Sequence, residues 1–254
     1  MKTDVSVASL LVSSLLVCVS LVFSYVQKLR LEKELVISVV RAVVQLIAVG
    51  YALTYIFGLK SPLFTTLLML FMIFNAAWNA SRRGKGIRGG LWISFAAIFI
   101  GTCTTLAVLV LANAIQYTAY QIIPISGMIV SNAMVALGLC YRHLKADFAD
   151  RRNEVETKLA LGADVLPSSI NIIRESIRTG MLPTIDSAKT LGIVSLPGTM
   201  TGLILAGISP LTAIKYQIMV TFMLLSTTAI SSFIACYLSY RGFFNKRKQL
   251  VPIP

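Results

Sequence analysis

The stretch from Leu91 to Ala114, LWISFAAIFIGTCTTLAVLVLANA, decides the class of fold because it contains no charged residue. A helix that crosses a bilayer needs about 20 consecutive apolar residues. Similar runs recur along the chain, so the sequence predicts an all-α polytopic membrane protein with about seven transmembrane helices. The predicted spans are Val5–Tyr25, Leu35–Phe57, Leu63–Ala80, Leu91–Ala114, Ile122–Tyr141, Ile185–Ala206 and Leu211–Tyr240.

The composition of the 254 residues agrees with this class. Hydrophobic residues make up 56% of the chain and charged residues 13%, whereas a soluble domain has about 25% charged residues. A water-soluble globular protein is therefore excluded, and so is a disordered chain. The spans leave no room for a separate soluble catalytic domain, and we expect one transmembrane domain over residues 1–254.

The lysines and arginines predict the orientation of the chain in the membrane. Cytoplasmic loops collect these residues, and basic and non-basic connections alternate along this sequence. We therefore expect an inner (plasma) membrane protein with its N-terminus outside and its C-terminus in the cytoplasm. The net charge of +13 follows from this orientation, and we expect no binding of nucleic acid. The basic regions are Lys28–Lys33, Arg82–Arg88, Arg142–Lys189 and Arg241–Lys248.

One connection is much longer than the others and extends from Arg142 to about Thr184. It predicts two helices: a short one over Glu154–Leu161, ended by Gly162, and a longer one with Asp164 as its N-cap. Leu166, Ile170, Ile173, Ile177 and Met181 line one face of the longer helix, whereas Arg174 and Arg178 fall on other faces.

Two interpretations of this segment remain open. The helices either lie on the membrane surface and cap the bundle, or they dock a separate protein. Docking would use a short helix that offers acidic residues on its outer face and turns an apolar face inward.

The chain carries no recognisable enzymatic motif. The sequence has no GxxxxGK[ST] phosphate-binding loop and no GxSxG nucleophile motif. We therefore expect a transport subunit that is not itself an enzyme. Its energy would come from another protein.

The cysteines and the histidine predict no metal site. Cys18, Cys103, Cys140 and Cys236 are widely spaced, no CxxC pair occurs, and His143 is the one histidine. We interpret the thiols as small apolar side chains.

Several polar residues inside predicted spans are candidates for a translocation path. Each has a structural alternative: Arg41 could extend to the membrane surface, and the asparagines could bond between helices. Methionines could offer sulfur or simply fill the core. The candidates are Arg41, Gln45, Asn75, Asn79, Met128, Asn132, Asp186 and Met200.

Asp186 is the one acidic residue within a predicted span, and Lys189 lies three residues later, within reach of an ion pair. The pair either orients the helix at the head groups or forms a gate that attracts cations. Farther along the same span, a small-residue stripe predicts a kinked helix that packs closely against a neighbour. The stripe consists of Gly198, Gly202 and Ala206, and Pro197 would cause the kink.

Residues 156–163, ETKLALGA, resemble the cytoplasmic coupling loop of ABC-transporter permeases. Over nearly the whole chain, the order of motifs resembles the FetB-type permeases, a family that also includes the plant aluminium-tolerance permeases. The matching groups are Arg41-Ala42 with Gln45-Leu46, Phe74–Asn79, Pro124–Met128 with Asn132–Met134, Ile177-Arg178, Leu182–Thr190, Val194–Gly198 and Lys215–Ile218.

The resemblance implies an iron-exporting ABC transporter with two copies of this permease and two copies of a separate ATPase subunit. ATP and Mg²⁺ would bind that partner and not this chain. The residues implied in coupling to the ATPase are Glu154, Glu156, Gly162, Ala163, Arg174 and Arg178. The alternative is a secondary transporter or cation channel that needs no partner.

Overall fold

The computed structural model describes residues 6–59, 61–87 and 89–251. This part of the chain is helical and forms no β-sheet, which confirms the predicted all-α class. It divides into two compact units, residues 1–59 and 60–254. The helices are α1 (Val7–Ser13), α2 (Leu15–Val26), α3 (Glu32–Leu59), α4 (Pro62–Arg83), α5 (Gly90–Leu111), α6 (Ala119–Asp150), α7 (Arg152–Ala160), α8 (Val165–Thr190), α9 (Gly198–Leu205) and α10 (Pro210–Ser239).

The first unit contains α1, α2 and α3. The predicted first span is helical in two pieces that meet at Ser14, and Val5, its first residue, lies outside the described residues. Ser24 joins the end of α2 to the start of α3. Its hydroxyl donates to Glu32 Oε1 (2.8 Å) and accepts from the Leu31 amide (3.2 Å), which satisfies polar groups at the turn between the two helices.

The second unit is built around α6, which packs against α4, α8 and α10, while α5 packs against α4 and α10. Two glycines allow these close approaches. A side chain at Gly101 would collide with Ser231 of α10, and one at Gly180 would collide with Cys140 of α6. Small residues at such contacts let helix backbones approach each other in membranes.

The predicted fifth span ends at Tyr141, but α6 continues without a break to Asp150. The predicted long connection is therefore helical from its first residue. Phe148 on the extension is fully buried and stacks on Phe243, with ring centroids 4.5 Å apart. This contact holds the extension against the 3₁₀ turn Tyr240–Phe243 that follows α10.

The predicted span Ile185–Ala206 is interrupted before Gly198, where the kink at Pro197 was expected, but the break begins earlier in the chain. Helix α8 ends at Thr190 and α9 begins at Gly198, with residues 191–197 between them. Gly192 has φ +80°, a left-handed conformation that interrupts a helix. Pro197 has no N–H and serves as the N-cap of α9.

Five helices in the described residues are long and apolar enough to cross a membrane, namely α3, α4, α5, α6 and α10. The number of spans and the inside-outside orientation stay predictions. Lys60 and Arg88, which contribute to the charge pattern, lie outside the described residues.

Candidate coupling surface and helix break

The predicted short helix is confirmed as α7, and a tight turn joins it to α8. The Gly162 amide bonds to Leu159 O and the Ala163 amide to Lys158 O, both at 3.0 Å. Gly162 has φ +90°. These bonds form the helix-ending motif in which a left-handed glycine satisfies the last carbonyls. The turn leaves Leu161 83% exposed, a large apolar side chain displayed at the tip of the segment.

The charged residues of α7 pair within the helix. Arg152 donates to Glu156 (2.7 Å) and Lys158 to Glu154 (2.5 Å). The hydrogen bond from Lys158, with its positive charge, lowers the pKa of the Glu154 carboxyl. The pairs are exposed, so the carboxylates remain available to a partner protein.

Helix α8 follows its predicted pattern in part, since Leu166 of the predicted apolar face is exposed and Ile172, which was not assigned to that face, is buried. The Asp164 side chain accepts from the Val165 amide at 2.8 Å, which confirms the predicted N-cap. Ile173 is fully buried, whereas Arg174 and Arg178 are exposed. The first half of α8 therefore packs on the bundle around Ile173 and presents its arginines outward.

The C-terminal tail completes this surface, and the sequence analysis did not predict it. After the 3₁₀ turn the chain folds back, so that Phe244 pairs with Leu250. The Asn245 side chain accepts from the amides of Arg247 and Gln249, both at 2.9 Å. An asparagine that bonds to the backbone ahead of it is a typical turn residue. Asn245 was therefore the sequence signal from which this turn could have been predicted.

Lys248 of the tail contacts Asp164, with 2.9 Å between Nζ and Oδ1. A groove of about 1070 Å³ lies between α7 and the tail. We define the coupling surface as α7, the turn at 161–164 and tail residues 245–251. The groove residues include Arg152, Glu156, Gly162, Ala163, Asp164, Arg247 and Lys248.

His143 also has a role that the sequence analysis missed. It lies in the α6 extension, and its Nδ1 is 3.1 Å from Asp147 Oδ1, one helical turn later. Spacing of four residues on a helix places side chains together, so the pair could have been found once α6 was known to continue past Tyr141.

The predicted pair of Asp186 and Lys189 is confirmed, with 3.0 Å between the charged atoms. Thr184, half a turn earlier, lies 3.5 Å from Thr228, near the middle of α10. The side chains of the ion pair itself are exposed on α8.

The helix break comes directly after this pair. The Val194 amide bonds to Thr190 O and the Gly192 amide to Ser195 O, while Ile193 is 88% exposed. Non-helical backbone at membrane depth is tolerated where protein covers it or where it lines a water-filled cavity. Asp186, Lys189 and residues 191–197 together form the candidate path element, since a charged pair facing hydrocarbon would cost about 2.5–3.5 kcal/mol per group.

Four of the other path candidates are hydrogen-bonded in pairs within their own helices. Asn79 donates to Asn75 Oδ1 (2.9 Å) and Asn132 to Met128 O (2.9 Å), both within one helix. The expected interhelical bonds are thus replaced by local ones. Met200 is half-buried on α9.

Arg41 and Gln45 belong to the first unit and are exposed on α3. Among residues 6–59, 61–87 and 89–251, no group of three or more His, Cys, Asp or Glu side chains could hold a metal ion. The path candidates therefore define no tight metal centre within these ranges.

The small-residue stripe does not pack as expected within the chain. A side chain added at Gly198 or Gly202 would meet nothing within 4 Å, so the close approach predicted there is not made by α9. The tight contacts occur instead at Gly101 and Gly180.

A seam of hydroxyls runs through the bundle between α5, α6 and α10. Thr105 and Thr227 share a hydrogen bond of 2.7 Å, and Ser94 and Tyr141 share one of 2.9 Å. Ser231 donates to the Ala97 carbonyl at 3.1 Å. Hydroxyl bonds between helices substitute for hydrophobic attraction in lipid. Single serines and threonines in apolar runs gave no sequence signal for this seam.

Comparison with known proteins adds the family. The model described as "Uncharacterised protein family (UPF0014)" matches residues 7–244. The Escherichia coli (strain K12) protein named "Probable iron export permease protein FetB" is 53% identical over 243 residues, which cover 96% of this chain and 94% of that protein. No solved structure matches this chain.

Plant proteins are similar as well. "UPF0014 membrane protein STAR2" of Oryza sativa subsp. japonica is 39% identical over 234 residues, covering 92% of this chain and 82% of that protein. "Protein ALUMINUM SENSITIVE 3" of Arabidopsis thaliana is 38% identical over 234 residues, covering 92% and 86%.

Proposed function

The chain belongs to the UPF0014 family of membrane permeases, and from this premise we propose that it is the membrane-spanning subunit of an ABC exporter for iron. A separate ATPase subunit binds ATP and Mg²⁺ and drives the cycle. Two copies of the permease, each a single domain over residues 1–254, assemble with two copies of the ATPase in the inner membrane.

The coupling surface is the observation that carries this proposal. Helix α7 is short, and its glycine turn displays Leu161 and leaves Glu154 and Glu156 exposed. A helix with an apolar tip and outward charges suits a groove on a soluble partner. Because α8 continues from this turn to the ion pair Asp186–Lys189, a displacement of the turn moves the path element as well.

The path element supports the cargo class. Carboxylate oxygen is a ligand that suits hard metal cations, and unwound backbone between two half-helices exposes further carbonyl oxygens. The iron assignment rests on the name of the Escherichia coli relative. The name of the Arabidopsis relative refers to aluminium, which also forms a hard cation.

The test is a co-purification followed by an activity assay. The chain is co-expressed with the candidate ATPase subunit, purified and placed in proteoliposomes, and iron-stimulated ATP hydrolysis and iron efflux are measured. We expect both activities from the complex and neither from the permease alone. Iron flux through liposomes that contain this chain without a partner would overturn the proposal in favour of a channel or secondary transporter.

A variant then tests the coupling surface. We expect Glu156→Ala with Gly162→Val to abolish partner-stimulated transport while the protein remains in the membrane, because a β-branched residue strains the left-handed turn. Ala149→Glu, at an exposed position of α6 outside the coupling surface, is the control and should transport normally. Normal transport by the double variant would remove the docking role.

A further inference from the structure

A second groove, of about 400 Å³, lies between α5 and α10 on the side of the bundle where α10 begins. Its walls come from the last turns of α5 and the first half of α10. Most of the lining is apolar, with a lysine and three hydroxyls as the polar members. The lining residues are Thr104, Thr105, Val108, Leu109, Lys215, Ile218, Met219, Phe222, Met223 and Ser226.

We propose that this groove binds one anionic phospholipid, with the phosphate at Lys215 and an acyl chain along the apolar walls. Both helices are long and apolar enough to cross the membrane, and Phe222 on the rim is 67% exposed. The groove therefore opens sideways into the hydrocarbon of the bilayer, where lipid acyl chains surround the protein.

Lys215 supplies the charge that selects the lipid. It is the one charged residue in α10, lies in the second turn and is exposed. No ion pair involving it occurs in the described part of the chain. A lysine near the end of a span extends to the head-group region, where the complementary group is a lipid phosphate.

The order of polarity along the groove matches that of a phospholipid. Lys215 lies at the end nearest the start of α10, followed by Ile218, Met219 and Phe222 toward the bundle middle. Deeper in the groove, the Thr105 hydroxyl is already hydrogen-bonded to Thr227, so it needs no polar partner from the bound lipid. A phospholipid matches this order, because its charged head group would lie at Lys215 and its acyl chain along the apolar residues.

A second copy of the α4–α10 bundle fits the groove less well. Its helices would need to bring a carboxylate to Lys215. The one acidic residue within a predicted span is Asp186, which already pairs with Lys189. Burying an unpaired lysine against another helix is costly, whereas a lipid brings its own phosphate.

The test measures contact between a tryptophan in the groove and brominated lipids. Phe222→Trp is introduced in the full chain after Trp78 and Trp92 are replaced by phenylalanine. Bilayers of zwitterionic lipid contain a small fraction of brominated phosphatidylglycerol or brominated phosphatidylcholine. We expect the anionic lipid to quench with about fivefold higher apparent affinity, the contribution of one lysine near an anionic head group.

Variants of the lysine complete the test. Lys215→Gln should remove the preference and Lys215→Arg should keep it, with unchanged thermal midpoints as the check on folding. Phe71→Trp on α4, where the side chain is 64% exposed, is the matched control and should show no preference. Equal quenching of the tryptophan introduced by Phe222→Trp with both lipids would overturn the proposal. No quenching by either lipid would overturn it too, since protein would then cover the groove.

Discussion

Lys248 and Asp164 tie the C-terminal tail to the start of α8, with 2.9 Å between Nζ and Oδ1. Asp164 also accepts from the Val165 amide, so one carboxylate serves both as helix cap and as anchor for the tail. The coupling surface is therefore made of two segments that are far apart in sequence, and a change in the tail reaches the first residue of α8.

Charge reversal at Lys248 should release the tail. In Lys248→Glu the tail loses its ion pair and meets a like charge at Asp164, and we expect faster motion of a spin label on Gln249→Cys, measured by electron paramagnetic resonance. Lys246→Glu is the control with the same charge change. The swap Asp164→Lys with Lys248→Asp should restore the immobile spectrum. An unchanged, immobile spectrum in Lys248→Glu would show that the tail is held elsewhere.

The same contact predicts a pH dependence. The hydrogen bond from Lys248, followed by that from the Val165 amide, lowers the pKa of Asp164 from its ordinary value of 3.8. The contact is fully present above the ordinary aspartate pKa and is lost as the pH falls through the lower folded value. We expect the spin-label spectrum to stay constant from about pH 8 to pH 5 and to become mobile only below about pH 4. A transition near pH 6 would contradict this cause.

Gly180 should be intolerant of a side chain. An added Cβ would collide with Cys140 Sγ and lie 3.0 Å from the Ala136 carbonyl oxygen, and a backbone atom cannot move aside alone. We expect Gly180→Ala to destabilise the detergent-purified protein by about 1–3 kcal/mol, seen as a lower thermal midpoint. Gly202→Ala, at an open helical position, should be neutral or stabilising. An equal midpoint for the two variants would refute the close packing of α8 on α6.

Variants of the exposed ion pair Asp186–Lys189 distinguish a role in the translocation path from a role in anchoring the helix. We expect Asp186→Asn to reduce iron efflux by about tenfold, the low end of the loss when a residue supporting a metal site is removed, with assembly intact. The double variant Asp186→Asn with Lys189→Gln removes both charges, so a purely orienting pair would tolerate it. We expect this variant to be as inactive as the single one, and Ser187→Ala to be active. Recovery in the double variant would assign the pair to structure.

The helical class followed directly from the sequence, because a long uncharged segment that crosses lipid satisfies its backbone hydrogen bonds by forming a helix. The N-cap at Asp164 and the turn at Gly162 were also predictable, since each depends on local backbone chemistry. The pair Asp186–Lys189 followed from spacing alone. In each case the deciding interaction lies within a few residues.

The features that were missed depend on distant contacts. The extension of α6 past Tyr141 is stabilised by Phe148 packing on Phe243, which lies in a distant part of the sequence. The interruption at Pro197 was predicted, but the apolar sequence gave no sign that the break begins after Thr190, where Gly192 takes a left-handed conformation. The groove at Lys215 required knowing which helix lies beside α10.

Helix α9 has eight residues, which rise about 12 Å against a hydrocarbon thickness of about 30 Å. It is therefore too short to be retained in the bilayer by itself while the chain is being synthesised. Its Thr199 donates to the side-chain oxygen of Gln217 on α10, so this polar contact joins the two helices. Residues 191–239 should consequently integrate together as a hairpin, late in biogenesis, and a ribosome stalled before Gln217 should leave α9 outside the bilayer.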